Sequence, residues 1–176
     1  SQGCSFKASG AHTGISHSAN SSVLSHSSGK SPWLSSTAQS RALRAMGHGD
    51  VLIVADTNFP SDQVARATVT GELLRMENLT CAQAVQAILS VLPLDTFVDD
   101  FAGRMEVVGN PAELPPVQQE VQAEIDRAEG RHRPMIGIER FAFYDIARKA
   151  YAVIQTGERR FYGCFMLRKG VIGPEE

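Results

Sequence analysis

Cysteine is scarce, neither sign of charge dominates, and no apolar run approaches membrane length. The three cysteines, Cys4, Cys81 and Cys164, make no CxxC pair, which argues against a disulfide framework and against a thiolate zinc site. Lysine and arginine number 17 against 19 acidic residues, a net charge of −2, so there is no basic field to hold a phosphate backbone and nucleic acid is not an expected partner. The longest apolar stretches, around Val51 and Val85, fall far short of the roughly 20 residues that span a bilayer. No basic segment leads into an apolar leader, and the expectation is a soluble, cytoplasmic protein with no membrane partner. Phosphate-loop and dinucleotide motifs are also missing. At 176 residues the chain can bury one sizeable core.

Residues 1–30 are dominated by Ser, Gly and His without a hydrophobic period, and read as a flexible tail preceding a single domain over 31–176. His12, His17 and His26 lack a nearby cysteine or carboxylate cluster, so no metal site is assigned to them.

From Ser31 the punctuation becomes regular. Ser35 or Ser36 can cap a helix through Ala38, Ala42, Ala45 and Met46, with Gly47 placed to end it in a left-handed conformation. Val51 to Ala55 is a continuous apolar run of strand length, as in a sheet covered on both faces. Thr80 and Gln83 have capping-box spacing ahead of a helix that reaches Leu92 and stops before Pro93. Met105 to Val108 reads as a short strand. Pro115 and Pro116 open a helix with Val117, Val121, Ile125 and Ala128 inward, a polar Gln and Glu face most simply solvated, and Gly130 at its end. Arg140 to Tyr144 leads into a helix through Ile146, Ala147 and Ala150. Tyr151–Gln155 and Phe161–Leu167, joined by Thr156-Gly157-Glu158, predict a hairpin that puts Tyr162, Gly163 and Cys164 in or beside the sheet.

Two blocks flank the apolar run: Met46-Gly47-His48-Gly49-Asp50 before it and Asp56-Thr57-Asn58-Phe59-Pro60 after it. A histidine between glycines and an aspartate at the far rim are groups of the kind that general acid and base chemistry on a small polar substrate requires. Each also has a plainer reading. His48 could bridge a turn, Asp56 could cap a loop, Arg140 could pair at the surface, and Tyr162 and Gly163 could be an ordinary strand aromatic and a bulge. Cys164 could be a small buried apolar residue, and Phe141, Phe143 and Tyr144 read as core and interface packing.

With Leu92-Pro93-Leu94-Asp95-Thr96-Phe97, Ile138 to Tyr144, and Thr156-Gly157-Glu158 with Tyr162-Gly163, these blocks resemble the RbsD/FucU family, in family order from about Leu34 to Ile172. The resemblance implies a single three-layer α/β domain, a mixed sheet with helices on its faces. It implies a cofactor-free sugar mutarotase acting on L-fucose or a similar monosaccharide, with His48 as the catalytic histidine and Asp56 as a sugar-binding aspartate. Arg140 matches the arginine of the fucose-type branch, where the ribose-type branch has histidine. The family's Tyr-Gly-Asn falls on Tyr162, Gly163 and Cys164, so a weak thiol donor stands where an amide offers two donors and an acceptor. The family forms ring-shaped decamers and smaller oligomers, which implies a homo-oligomer with sites near subunit contacts. Ribose-type pyranose–furanose conversion and a non-catalytic sugar-binding or regulatory module stand as alternatives.

The chemistry needs one acid and one base, to protonate a ring oxygen and deprotonate the anomeric hydroxyl. One geometric difficulty is visible already. Eight extended residues at about 3.3 Å each would part His48 from Asp56 by roughly 26 Å, so either Gly49 folds the histidine back or a second subunit completes the site.

Overall fold

The computed structural model describes residues 37–174, so the expected tail at 1–30 and the caps expected at Ser35 or Ser36 lie outside the described residues. Helix α1 (Ala38–Ala45) is capped instead by Thr37, whose hydroxyl accepts from the Ser40 amide at 3.4 Å. The apolar run forms β1 (Val51–Ala55), followed by α2 (Ser61–Ala65) and β2 (Leu73–Met76). The capping box forms as the spacing predicts: Gln83 N donates to the Thr80 hydroxyl and Thr80 N to the Gln83 side chain, opening α3 (Cys81–Leu89). That helix ends at Leu89 rather than Leu92. The short strand falls earlier than its apolar residues suggest, as β3 (Ala102–Met105), because Val107 turns back to bridge Asn110. Then come α4 (Pro116–Glu129), β4 (Ile136–Ile138), α5 (Arg140–Arg148), β5 (Ala152–Thr156) and β6 (Phe165–Arg168).

The six strands form one mixed sheet in the order β2-β5-β1-β6-β3-β4. The expected hairpin does not form. β1 lies between β5 and β6, parallel to the first and antiparallel to the second. The reason is burial: the all-apolar β1 needs a strand on each side, and the Gly157–Cys164 connection is long enough to cross its end. Alternate residues then serve two cores. Leu52, Val54, Ala152, Ile154, Phe165 and Leu167 face α1, α3 and α4, while Ile53, Ala55, Val153, Cys164 and Met166 face α2 and α5. The arrangement is three layers, helix, sheet, helix. Leu52, Ile53, Phe143 and Phe165 are fully buried, each worth roughly 1.5–3 kcal/mol. Among the described residues no helix is long and apolar enough to cross a membrane.

The polar face of α4 departs from expectation. Gln118 is fully buried, not solvated. Its side chain donates to the carbonyls of Met105 and Tyr162 and accepts from Arg104.

Candidate functional site

Strand direction decides what meets Asp56. Because β5 runs parallel to β1 and β6 antiparallel, the end of β5 and the approach to β6 arrive together at the carboxyl end of β1. β3 and β4 point the same way as β1, which brings the 105–108 turn and the first turn of α5 to this edge. The cleft there is about 300 Å³ and takes in Asp56, Asn58, Phe59, Arg140, Tyr144, Phe161, Tyr162 and Cys164. Clefts outside the carboxyl ends of strands are where open α/β sheets bind ligands. Two larger surface clefts, of about 480 and 490 Å³, hold none of the predicted site residues.

Asp56 is buried and heavily engaged. Its Oδ1 accepts from the amides of Asn58 and Phe59 at 2.9 and 3.0 Å, which folds the exit loop. Its Oδ2 accepts from the Gly163 amide at 3.1 Å and from the Cys164 thiol at 3.7 Å. The thiol is the weakest of the four partners, and Oδ2 is therefore the less firmly held of the two oxygens. Glycine at 163 suits this approach: a Cβ there would lie 3.1 Å from both Asp56 Cβ and Glu158 Cγ, close enough that a neighbour would have to give by a few tenths of an ångström. Tyr162 beside it has φ +62°, a left-handed conformation rare for a bulky residue. Its hydroxyl accepts from the Val108 amide at 3.2 Å, leaving the O–H proton free to donate.

Arg140 opens α5 and is exposed, its guanidinium 5.9 Å from the Tyr144 ring centre. Glu139 caps the helix through the Phe141 and Ala142 amides, and these bonds hold its carboxyl below the ordinary range. Tyr144 stacks on Phe59 at 5.2 Å, so it walls the cleft and is more than core packing. Phe143 is buried as expected, and Phe141 is exposed.

Beneath the cleft, Glu158 is buried and receives Arg160 Nε and Nη2 at 2.9 Å, while Arg160 also pairs with Glu120 of α4 through two 2.7 Å bonds. Arg160 accordingly holds the Glu158 carboxyl below its usual range. The two buried cysteines are free thiols. Burial pushes Cys81 up to about 12, and its S–H donates to the Gly163 carbonyl at 3.3 Å. Burial, then the Asp56 charge, raises Cys164 well above its ordinary value. Neither is a nucleophile near neutral pH.

His48 is elsewhere. It sits at the amino end of β1, where the loop is tied to the end of β6: Gly49 N donates to Lys169 O at 2.8 Å and Arg168 Nη1 to Gly49 O at 3.2 Å. The left-handed residue of this loop is Gly49, at φ +86°, not Gly47, because the chain turns after the histidine. Gly47 instead gives its amide to the Asp50 carboxylate at 2.7 Å. The loop does not fold His48 back toward Asp56. Its imidazole is half exposed, edge-on to the exposed Phe97, with Nε2 2.9 Å from Oδ2 of buried Asp95. The Phe97 amide, and after it the His48 ring, hold the Asp95 carboxyl below its ordinary range, so Asp95 is an ionised acceptor.

Of the six predicted residues, Asp56, Arg140, Tyr162 and Cys164 line one cleft, Gly163 adjoins it through its amide to Asp56, and His48 stands at the opposite rim of the sheet. Sequence reasoning missed Asn58, Phe59, Tyr144 and Phe161 as walls, and Asp95 as the partner of His48. Asp95 and Tyr144 lie inside the blocks that carry the resemblance, which was the available signal.

Together these features define an α/β protein with a cleft of small-molecule size at the carboxyl ends of its strands. Residues 29–172 match the family described as the RbsD / FucU transport protein family, and the chain belongs to it. It is 41% identical over 138 residues to the fucose mutarotase of Bos taurus, covering 77% of this chain and 88% of that protein. The crystal structure of the protein Atu2016 is 61% identical, with a TM-score of 0.78 over 81% of this chain and 94% of that one. The fucose mutarotase of Streptococcus pneumoniae in complex with L-fucose is 31% identical, with a TM-score of 0.67 over 76% of this chain and 91% of that one.

Proposed function

We propose that the protein is an isomerase that interconverts the α and β anomers of L-fucose or a closely related monosaccharide, in a cleft that binds the sugar through Asp56, Arg140, Tyr162, the Gly163 backbone and Cys164. The observation that carries this reading is the convergence of Asp56, Arg140, Tyr162 and Cys164 on one cleft in a chain similar to fucose mutarotases. Arg140 and the Tyr162 hydroxyl supply donors for sugar hydroxyls, Asp56 Oδ2 an acceptor, and the rings of Phe59, Tyr144 and Phe161 an apolar wall.

His48 is the proton carrier, and it reaches the sugar from a neighbouring subunit. Asp95 is ionised and only accepts, so Nε2 carries the proton of that bond and Nδ1 is the nitrogen left for substrate. Nδ1 exchanges a proton with one hemiacetal oxygen while a second group or water serves the other. The C1–O5 bond breaks, the open aldehyde rotates, and reclosure on the other face returns both protons. Asp95 stabilises the imidazolium whenever Nδ1 holds the proton. The span of β1 between the two rims, about 17 Å for its five residues, supports a homo-oligomer in which one subunit's His48 faces its neighbour's cleft. Exposed Phe97, Val108 and Phe161 beside the two half-sites fit such an interface. The mutarotase domain spans residues 31–176, a boundary that the family match beginning at residue 29 supports. The free thiols of Cys81 and Cys164 fit the reducing cytoplasm.

Magnetization-exchange NMR on L-fucose, D-ribose and D-galactose tests the reading. Exchange between fucose anomer signals is expected. Furanose exchange on ribose alone would replace it with the pyranase activity, and binding without exchange would reduce the protein to a sugar-binding module.

A further inference from the structure

We infer that Gln118, with Arg104 behind it, is a positioning residue that sets Tyr162 for substrate; this rests on the cleft being the sugar site. The starting observation is a neutral amide, fully buried on a helix surface, with all its groups committed across three elements. From α4, Gln118 Nε2 donates to the Met105 carbonyl at the end of β3 at 2.8 Å and to the Tyr162 carbonyl at 3.1 Å. Its Oε1 accepts from Arg104 Nη1 at 3.2 Å. A side chain that fixes two backbone carbonyls through one nitrogen dictates their separation.

Tyr162 needs such an anchor. Its φ of +62° is an unfavourable conformation for a tyrosine, held only if the surroundings determine it. The carbonyl is fixed by Gln118, the following amide by Asp56 at 3.1 Å, and the ring hydroxyl by the Val108 amide at 3.2 Å. Arg104 extends the same control to the loop that carries Val108. It is buried, and it donates to the carbonyls of Pro111 at 3.0 Å and Glu113 at 3.4 Å as well as to Gln118. No carboxylate among the described residues pairs with Arg104 in this arrangement, so its donors are spent on loop backbone and on the amide that holds Tyr162. Both attachments of the Tyr162 ring therefore run back to one buried pair.

The two ends of the amide can be tested separately. Gln118→Leu removes donor and acceptor at similar volume. Gln118→Glu keeps an acceptor for Arg104, now in a buried ion pair, and loses the donor to the Tyr162 and Met105 carbonyls. A residue that only satisfies Arg104 or fills space is rescued by Glu; one that positions Tyr162 is not. The first readout is amide hydrogen exchange at Gly163 and Val108, which does not depend on any activity. Both variants are expected to exchange there about five- to tenfold faster than wild type, as for a lost buried hydrogen bond, with α3 amides unchanged. The second is anomer exchange against L-fucose concentration, where KM is expected to rise by a similar factor with kcat nearly constant. Wild-type protection at Gly163 in the Glu variant would overturn the inference, and that variant decides alone if Leu does not fold. An unchanged KM in a variant with faster amide exchange would also overturn it. If wild-type protein exchanges no anomers, the functional reading fails instead, and the amide exchange still judges whether Gln118 positions Tyr162.

Discussion

The two rims of β1 are built differently, although both carry groups suited to proton chemistry. At the carboxyl rim, Asp56 is buried under four donors, the neighbouring loops are cross-braced by Glu158, Arg160 and Glu120, and the product is a walled cleft. At the amino rim, His48 projects half exposed from a glycine-flanked loop, oriented by one buried carboxylate. On the proposed reading the first rim binds the sugar and the second supplies the histidine that carries the proton. On that reading, the contrast means that one chain carries both halves of a reaction centre and a second copy of itself joins them, as an interface between identical subunits allows.

The sharpest way to break that division is His48→Ala. Anomer exchange should fall by roughly a hundredfold to ten-thousandfold, the usual contribution of a placed general acid or base, while L-fucose binding measured by titration calorimetry and the melting temperature stay near wild type. Loss of binding with activity would place His48 in the binding half instead.

Asp56→Asn should do the reverse and damage structure as well. An amide presents N–H where Asp56 accepts on both oxygens, so one donor is left facing another, and stability should fall by about 1–3 kcal/mol, read as a melting temperature lower by several degrees. Sugar binding should weaken with it.

Asp95→Asn sharpens the orienting role at the other rim. Exchange should slow by roughly tenfold, as for a lost charge-assisted hydrogen bond, with binding unchanged. Since the folded carboxyl is depressed, its stabilising contribution is complete above the ordinary aspartate value of 3.8 and is lost as pH falls through the lower folded value. The melting-temperature gap between wild type and variant should therefore persist at neutral pH and close below about 3.8.

The smallest effect is expected at Cys164. Cys164→Asn restores an amide beside Asp56 Oδ2 and should tighten L-fucose by up to about fivefold, one hydrogen bond's worth, in the same calorimetric titration.

Much of this architecture is local enough to read from sequence. The capping box at Thr80, the proline start of α4, and the apolar run of β1 depend on neighbours within a turn or on burial on both faces. What was not legible depends on partners far along the chain. Insertion of β1 between β5 and β6 overrides the short connection that suggests a hairpin. Asp95 meets His48 only because Leu94 bridges Lys169 at the end of β6. Gln118 looks like one more solvated residue on a polar helix face until Arg104 and Tyr162 are placed against it. The candidate residues themselves stood out as blocks in the sequence, and their separation into two rims was foreshadowed by the length of β1.

Subunit mixing tests the division most directly. His48→Ala and Arg140→Ala proteins, each inactive alone, are combined, dissociated and reassembled, and fucose anomer exchange is measured by NMR. A site shared between subunits predicts recovery to about a quarter of the wild-type rate, the statistical share of interfaces that draw an intact residue from each protein. No recovery, from mixed oligomers shown to have formed, would contradict it.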